Sequence, residues 1–296
     1  MTTVVHISDL HFDRIEPGSD DALVEAIAEI DPTLIVASGD FTLAGRKREF
    51  EAAAQFLHRL SAPVIACPGN HDIPAYNLVQ RFLSPLKRYN EFIASNTYAA
   101  VRVGDTAILA LNSARPWDLS WNWSHGRLSN QQISEADAFF AAHTDAATKL
   151  LVTHHPFCVP SDAASFHRIG NADLALEILN ARGVHGVLTG HLHRQFRSTA
   201  LIASGRLHPP LNVLSTGTAL SDRRRDEPNG FLVLHCRTGI EAVEAYALSD
   251  GRFGRVPLRA MDPDKLAHTQ RSAAVAAQPS QFQSRERNQH ESAALA

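Results

Sequence analysis

Short apolar runs that alternate with amphipathic helical patterns constrain the fold of this chain most strongly. The runs are largely uninterrupted, as in strands that are covered on both faces. Eight strands are predicted, at Val4–Ser8, Leu34–Ser38, Pro63–Cys67, Ala107–Asn112, Leu150–Thr153, Gly186–Thr189, Leu211–Ser215 and Phe231–His235. Helices are predicted between them, at Arg46–Leu60, Ser129–His143 and Ala172–Arg182. The alternation predicts an α/β layered fold.

Local signals support two of these helix boundaries. Ser129 and Gln132 stand at capping-box spacing at the start of one helix, and Gly183 follows another at the position that favours glycine. After about Leu211 the strands come with little helix between them. The sheet system is therefore expected to end in antiparallel strands, which could form a second sheet packed on the first.

The C-terminal segment differs in composition from the rest of the chain. From Met261 to Ala296 large apolar residues are sparse, and Gln, Ser, Ala and Arg dominate. Such a segment cannot bury enough apolar surface to offset the entropy lost on ordering. We therefore expect one folded domain over residues 1–260 and a disordered tail over residues 261–296.

Charge and cysteine content limit the partners of the chain. Lys and Arg number 28 against 31 Asp and Glu, so the formal net charge of −3 argues against a nucleic acid partner held by a broad basic face. Three cysteines cannot form a disulfide framework. No targeting segment and no apolar run long enough for a membrane span is present in the sequence. We expect a cytoplasmic protein with reduced thiols and no membrane partner.

Five polar blocks follow predicted strands. They are Asp9-Leu-His11, Gly39-Asp40, Gly69-Asn70-His71-Asp72, His154-His155-Pro156 and Gly190-His191-Leu192-His193. Ligands of open α/β sheets bind at the carboxyl ends of the strands, so we expect these side chains to meet at one edge. The glycines before Asp40, Asn70 and His191 allow tight turns and a close backbone approach.

The residue types in these blocks favour a metal site. Imidazole, carboxylate and amide-oxygen ligands suit Mn, Fe, Zn, Ni or Co better than Ca or Mg, and the lack of thiolates argues against a structural zinc cluster. Two metals that share one carboxylate would use all the candidates. Metal pairs ~3.5–4 Å apart clamp in-line displacements at phosphorus. The charge count suits a phosphodiester anion, although a carboxylate substrate would also fit it.

The order D-x-H, GD, GNHD, H-x-P and GHxH resembles the calcineurin-like metallophosphoesterase superfamily, from Asp9 to His193. Within it, the chain is most similar to the bacterial class III cyclic-nucleotide phosphodiesterases. The resemblance implies an α/β fold that is a layered β-sandwich of two mixed sheets flanked by helices. Residues 1–260 would then be a metallophosphoesterase catalytic domain.

The resemblance also implies roles for individual residues. Two divalent metal ions (Mn, Fe, Zn or similar) and one bridging hydroxide would be held by Asp9, His11 and His193 at the first site, Asn70, His154 and His191 at the second, and Asp40 as the bridge. His154 is preferred to His155 because the pattern is His-x-Pro. His71 would stabilise the transition state or protonate the leaving oxygen, and Asp72 would orient His71 or a neighbouring loop.

The implied activity is hydrolysis of a small-molecule phosphodiester such as 3′,5′-cAMP, by attack of a metal-bound hydroxide on phosphorus. The same chemistry could act on a 2′,3′-cyclic nucleotide, a glycerophosphodiester or a phosphomonoester, because the motifs hold only the metals and the phosphoryl group. A catalytically silent scaffold with this fold is a further alternative. The assembly is left open, with a homodimer as one alternative.

Three further residues are candidate substrate contacts: His155, His167 and Trp123. Trp123 lies in a cluster with Trp117 and Trp121 that would either stack on a base or pack on the domain surface. His155 would alternatively support the site or fill the core, and His167 could have no role. The basic run 223–225 would either steer an anion or form a solvated turn.

Overall fold

A computed structural model of the protein describes residues 1–117, 124–163, 166–202, 205–207, 209–223 and 227–267. Trp123, part of the basic run at 224–225 and most of the predicted tail, 268–296, lie outside the described residues. No helix in the described ranges is both long enough and apolar enough to cross a membrane.

The described residues form sixteen β-strands between Thr2 and Ala267. They are β1 (Thr2–Ile7), β2 (Leu34–Ala37), β3 (Val64–Ala66), β4 (Tyr98–Val103), β5 (Thr106–Leu111), β6 (Thr148–Val152), β7 (Val159–Pro160), β8 (Gly186–Thr189), β9 (Phe196–Thr199), β10 (Leu201–Ile202), β11 (Gly205–Arg206), β12 (Asn212–Ser215), β13 (Gly230–Cys236), β14 (Ile240–Ser249), β15 (Arg252–Val256) and β16 (Leu266–Ala267).

The described helices flank these strands. They are α1 (Ser19–Ile30), α2 (Lys47–Leu57), α3 (Leu78–Leu83), α4 (Lys87–Phe92), α5 (Asn130–Ala142) and α6 (Ala172–Ala181). Two short 3₁₀ turns cover Asn70–Asp72 and Pro263–Lys265.

Two mixed six-stranded sheets form the body of the protein. The first has the order β15-β14-β13-β1-β2-β3, in which β1, β2 and β3 are parallel and the other neighbours pair antiparallel. The second has the order β4-β5-β6-β8-β12-β9, with a parallel centre and antiparallel edges. The α/β sandwich of two mixed sheets is therefore confirmed.

Three apolar clusters give the molecule its layers. One lies between the sheets and contains Val4, Val36 and Leu188, side chains from strands of both sheets. A second joins the outer face of the first sheet to α1, α2 and α4. The third joins the outer face of the second sheet to α5 and α6. Because both faces of each sheet are covered, the central strands read as continuous apolar runs.

The predicted boundaries agree with the structure to within a few residues. The capping box of α5 is formed, since Gln132 N donates to Ser129 Oγ at 3.2 Å and Ser129 N donates to Gln132 Oε1 at 2.9 Å. Gly183 adopts φ +66° after α6, as its position predicts. The late strands β13–β15 are antiparallel as expected, but they extend the first sheet. Sequence reasoning missed α1, α3 and α4, and it gave no bounds for the strands β4, β7, β9, β10, β11, β14, β15 and β16.

The chain continues to pack beyond the expected domain boundary. Met261 N donates to the carbonyl oxygen of Arg197 at 2.8 Å, and β16 pairs with β7. The described residues 261–267 therefore lie against the body. The disordered tail stays a prediction for residues 268–296.

Candidate metal centre

The five polar blocks converge at the carboxyl ends of strands from both sheets. The blocks at Asp9 and Asp40 follow β1 and β2, and the 3₁₀ turn Asn70–Asp72 follows β3. The blocks at His154 and His191 follow β6 and β8 of the second sheet. The cluster therefore sits where the ends of the two sheets meet, as expected for a ligand site in such a fold.

Many residues of these blocks have left-handed backbone conformations. Positive φ angles between 48° and 68° occur at Asp9, His11, Asp40, His191 and His193. Such conformations cost non-glycine residues roughly 1–3 kcal/mol each and persist where the surroundings over-determine them. Hydrogen bonds between the blocks supply that restraint, including Asp9 N to Gly39 O and His11 N to Asp40 O, both at 3.0 Å.

Two glycines are required by close backbone contacts. A Cβ atom on Gly69 would lie 2.1 Å from Asp40 Oδ1, and one on Gly190 would lie 1.9 Å from Ser8 Oγ. No side chain fits at either position. The close approach predicted for the glycines of these blocks is therefore present.

Asp9, His11 and His193 form one group of possible metal ligands, which we call the first half of the centre. Asp9 Oδ1 lies 3.2 Å from His193 Nε2 and 3.7 Å from His11 Nε2. The two Nε2 atoms are 3.3 Å apart. Three potential donor atoms thus surround one point in the interior.

His154 and His191, with His155 beside them, form a second group of possible ligands. We call His154 and His191 the second half of the centre and add Asn70 to it, because the resemblance assigns Asn70 to this metal. His154 Nε2 lies 3.3 Å from His191 Nδ1 and 3.2 Å from Asp40 Oδ2. The same Asp40 oxygen is 3.9 Å from His11 Nε2 in the first half. The carboxylate of Asp40 therefore reaches both halves.

Backbone carbonyl groups fix the orientation of three imidazole rings. The Nδ1 atoms lie 2.8–3.2 Å from carbonyl oxygens in the pairs His11–Thr42, His154–Ser38 and His193–Arg223. A carbonyl oxygen only accepts, so each Nδ1 carries the proton and Nε2 faces the cluster. Orienting contacts of this kind are common behind metal-bound histidines.

The donor set fits metal ions. In His11 and His193 both Nε2 atoms bear lone pairs, yet they face each other at 3.3 Å. A cation ~2.0–2.1 Å from each nitrogen in tetrahedral geometry would separate them by about 3.4 Å. Asp9 Oδ1 and Asn70 Oδ1 are also buried with no hydrogen-bond partner among the described residues. A metal ion in the first half would satisfy the two Nε2 atoms and Asp9 Oδ1, and an ion in the second half would satisfy Asn70 Oδ1.

Burial and charge set the protonation of the cluster. Burial lowers the pKa of His11 and of His191 to about 3, so both are neutral at pH 7. Burial alone would raise the pKa of Asp40, but His154 and His71 hold it well below its usual range. Burial likewise lowers the pKa of His154, but Asp40 outweighs this effect and raises it to about 9.

His71 lies beside the first half. Its backbone N donates to Asp40 Oδ1 at 2.8 Å, and its Nδ1 donates to the carbonyl oxygen of Leu43 at 2.6 Å. Its ring meets that of His11 edge-on, with centroids 5.0 Å apart. His71 is half-buried, and so is Asn70, whereas the candidate ligands other than Asn70 are buried. The open side of the centre is therefore at Asn70 and His71.

Asp72 braces the loops around the centre. Its carboxylate accepts hydrogen bonds from Gly69 N at 2.9 Å and from Thr42 N at 3.0 Å, and Thr42 Oγ1 donates to the carbonyl oxygen of His71. Burial, with Asp40 nearby, raises the pKa of Asp72 to about 7. Of the two roles expected for Asp72, these contacts favour the support of a neighbouring loop.

The candidate substrate contacts occupy different environments. His155 is buried, its Nδ1 lies 2.8 Å from Ser113 Oγ, and its ring centroid lies 4.8 Å from that of His191. His167 is half-buried with its ring centroid 4.2 Å from that of His125. Trp123 lies outside the described residues.

Sequence reasoning missed the partners that orient the rings. Thr42, Ser38 and Arg223 act through backbone carbonyl groups, which leave no residue-type signal in a sequence. Ser113 acts through its hydroxyl, but no motif marks it. Arg223 belongs to the basic run, yet its contact with His193 Nδ1 is made by the main chain.

Comparisons with known proteins show the family of this chain. Residues 2–195 match the calcineurin-like phosphoesterase family. A probable cyclic nucleotide phosphodiesterase of Synechococcus sp. is 29% identical over 168 residues, which are 56% of this chain and 59% of that protein. A 3′,5′-cyclic adenosine monophosphate phosphodiesterase of Vibrio vulnificus is 23% identical over 225 residues, 72% of this chain and 74% of that one.

The fold has a counterpart among solved structures. A purple acid phosphatase from yellow lupin seeds superposes with a TM-score of 0.60 at 14% identity, covering 86% of this chain and 52% of that one. At this identity the likeness concerns the fold alone. The family match spans more than half of the chain and includes all five blocks. This chain belongs to the calcineurin-like phosphoesterase family.

Proposed function

We propose that this protein is a dinuclear metal-dependent phosphodiesterase whose substrate is a cyclic nucleotide such as 3′,5′-cAMP. The observation that carries the proposal is the position of Asp40. Its Oδ2 lies 3.2 Å from His154 Nε2 and 3.9 Å from His11 Nε2, between two groups of buried imidazoles and carboxylates. This is the arrangement that a shared carboxylate ligand needs.

Seven residues would hold the two divalent ions: Asp9, His11, Asp40, Asn70, His154, His191 and His193. When bound, the ions would activate a water for attack on phosphorus and neutralise phosphoryl oxygens. Mixed nitrogen and oxygen donors without thiolates favour Mn, Fe or Zn. The open side at Asn70 and His71 would admit the phosphodiester.

His71 would act directly on the substrate. Because its Nδ1 donates to the carbonyl oxygen of Leu43, Nε2 is the ring atom available to the phosphoryl group. A proton on Nε2 would be donated to a charged phosphoryl oxygen or to the leaving oxygen. Asp72 would keep the loop of His71 in place through Thr42.

The choice of a cyclic nucleotide rests on the motifs and on the names of the two bacterial relatives. The family fold supports many substrates, so the metal centre alone does not decide between them. His155, His167 and Trp123 stay predictions as substrate contacts. A cytoplasmic location also stays a prediction.

A metal-dependent assay tests the proposal. The protein with Mn²⁺ should hydrolyse bis(p-nitrophenyl) phosphate, and Asp40→Ala should abolish the activity. Exposed Asp145→Ala is the matched control, since Asp145 forms a surface ion pair with Arg102 at 2.8 Å. Diesterase activity of the Mn²⁺-loaded protein no higher than that of a metal-free control would refute the proposal.

A substrate panel separates the alternatives. The panel contains 3′,5′-cAMP, 2′,3′-cAMP, glycerophosphocholine and a nucleotide monophosphate, each with Mn²⁺, Fe²⁺ and Zn²⁺ in turn. The proposal predicts the highest kcat/KM for 3′,5′-cAMP. A silent scaffold would bind well under two metals per chain and turn over none of them.

A further inference from the structure

Helix α3 exposes its apolar side chains and buries its charged one, which is the reverse of an ordinary surface helix. Its apolar side chains Leu78, Val79, Phe82 and Leu83 are exposed, with Leu83 at 81% and Val79 at 71%. Its only charged residue, Arg81, is buried. A surface helix normally turns its apolar stripe toward the core and its charges toward water. The outward stripe of α3 therefore lacks a partner within the described part of the chain.

The stripe extends beyond the helix. Tyr76, two residues before α3, is 78% exposed, and Trp117 is 55% exposed. Arg81 ties the two segments together, since its Nη1 donates to the carbonyl oxygen of Pro74 at 3.0 Å and its Nε donates to that of Pro116. We call this surface of six side chains, Tyr76, Leu78, Val79, Phe82, Leu83 and Trp117, the α3 face.

The area of the α3 face matches half of a protein interface. Three aromatic and three aliphatic side chains at these exposures present on the order of 600 Å² of apolar surface. That is at the upper end of the patches that monomers leave exposed. One partner of a standard interface buries about 800 Å², of which about 65% is apolar in homodimers.

The charges around the α3 face favour a protein over an anionic membrane. Residues 74–86 contain one charged residue, the inward Arg81. The cations that adjoin this segment are Lys87, Arg88, which donates to the carbonyl oxygen of Gly45, and Arg46, which lies 5.4 Å from the ring centroid of Tyr76. The cations at the start of α2 are ion-paired, since Arg46 and Arg48 contact Asp13 at 3.1 and 2.7 Å and Lys47 contacts Glu51 at 3.3 Å. Membrane-surface helices instead present unpaired Lys and Arg beside their apolar face.

We propose that the α3 face is the interface of a homodimer. A two-fold axis would place the α3 helices of two copies against each other, so that each apolar stripe covers the other. Because none of the six side chains of the face is charged, the apolar stripes of two copies would meet without like charges between them. The inference does not rest on the proposed phosphodiesterase activity, and its test does not use that activity.

Sedimentation velocity over a concentration series tests the proposal. The wild-type chain should be a dimer with a Kd of roughly micromolar or tighter. Leu83→Glu and Val79→Glu should each weaken dimerisation by roughly thirtyfold or more, the effect of losing a central contact. Leu174→Glu is the matched control, because Leu174 is an exposed apolar residue on α6, away from the face.

Two results would overturn the proposal. One is a wild-type chain that stays monomeric at concentrations a hundredfold above micromolar. The other is a dimer that both α3 variants leave intact while their circular dichroism and Tm match the wild type. Flotation with phosphatidylserine vesicles completes the test. If the wild-type chain is a monomer that binds these vesicles, and if the α3 variants abolish that binding, the face would be assigned to a membrane instead.

Discussion

The two halves of the candidate metal centre are built differently. All three residues of the first half, Asp9, His11 and His193, have left-handed backbones. In the second half only His191 does, and the oxygen donor is the neutral amide of Asn70. The first half thus contains the carboxylate of Asp9, whereas the second half depends on Asp40, and Asp9 itself lies within 4.8 Å of Asp40 and His154.

The halves also differ in the proton that a metal must displace. His11 is neutral, because burial lowers its pKa to about 3. His154 is protonated at pH 7 before metal binds, since Asp40 outweighs burial and raises its pKa to about 9. The first half is therefore ready for a cation, whereas the second must first lose a proton. We therefore expect the first half to bind its metal before the second half does.

The largest effect is expected where the halves meet. Asp40→Ala removes the carboxylate whose Oδ2 lies 3.2 Å from His154 Nε2 and 3.9 Å from His11 Nε2, so the second half loses its nearest charged ligand. Metal content should fall from two ions per chain to one or fewer, and diesterase kcat should fall by roughly 10³-fold or more. Mass-spectrometric metal analysis measures the first quantity. Two tightly held ions in the variant would contradict the role of Asp40 as a ligand shared by the two halves.

His71→Ala separates catalysis from metal binding. The ring of His71 packs on that of His11, but its contacts with Asp40 and Leu43 leave it outside the metal groups. We expect kcat to fall by about 10²–10⁴-fold, the usual contribution of a positioned acid, with both metals retained. Steady-state kinetics beside metal analysis checks this. Loss of one metal would show that His71 is a ligand.

Asn70→Ala should affect one half only. The buried Oδ1 of Asn70 has no hydrogen-bond partner among the described residues, and its loss should weaken the second metal by roughly 10–100-fold. The affinity of the first metal should stay within twofold. Isothermal titration with Mn²⁺ resolves the two steps. Equal weakening of both steps would contradict the division into halves.

The affinity for the second metal should depend on pH more strongly than the affinity for the first. Because His154 is protonated below about pH 9, the affinity for the second metal should rise by up to tenfold per pH unit between pH 7 and 9. The raised pKa also stabilises the metal-free fold below pH 6.5, and that stability is lost as pH rises through 9. Calorimetry in buffers of different ionisation enthalpy should show one proton released with the second metal. No release would contradict the account.

Ser113→Ala gives the smallest expected effect. Ser113 Oγ lies 2.8 Å from His155 Nδ1 in a buried contact behind the second half. Its loss should destabilise the fold by about 1–2 kcal/mol and leave the first metal unchanged. Urea unfolding measures the change. Ser113→Thr keeps the hydroxyl and is the matched control; equal losses in both variants would indicate steric rather than hydrogen-bonding effects.

Much of the centre was predictable because its residues combine rare types with strand-end positions. Asp9, Asp40 and His154 follow apolar runs that can only be buried strands, and parallel strands bring their ends together. The ring-orienting carbonyl groups of Thr42 and Arg223 were not predictable, since any residue supplies a carbonyl.

The α3 face escaped sequence reasoning for a different reason. Apolar residues at helical spacing predict a buried stripe, but on α3 the stripe is exposed and Arg81 points inward. The helical spacing of apolar residues predicts that one helix face is buried, but it does not show whether the same chain or another molecule buries it. Tertiary structure was needed to show that the described chain leaves it open.

Anomalous diffraction from Mn²⁺-soaked crystals would locate the two ions relative to Asp40. We expect two peaks about 3.5–4 Å apart, with the Asp40 carboxylate between them, Asp9 and His193 beside one peak and His154 and His191 beside the other. A single peak, or two peaks of which only one contacts Asp40, would contradict this expectation.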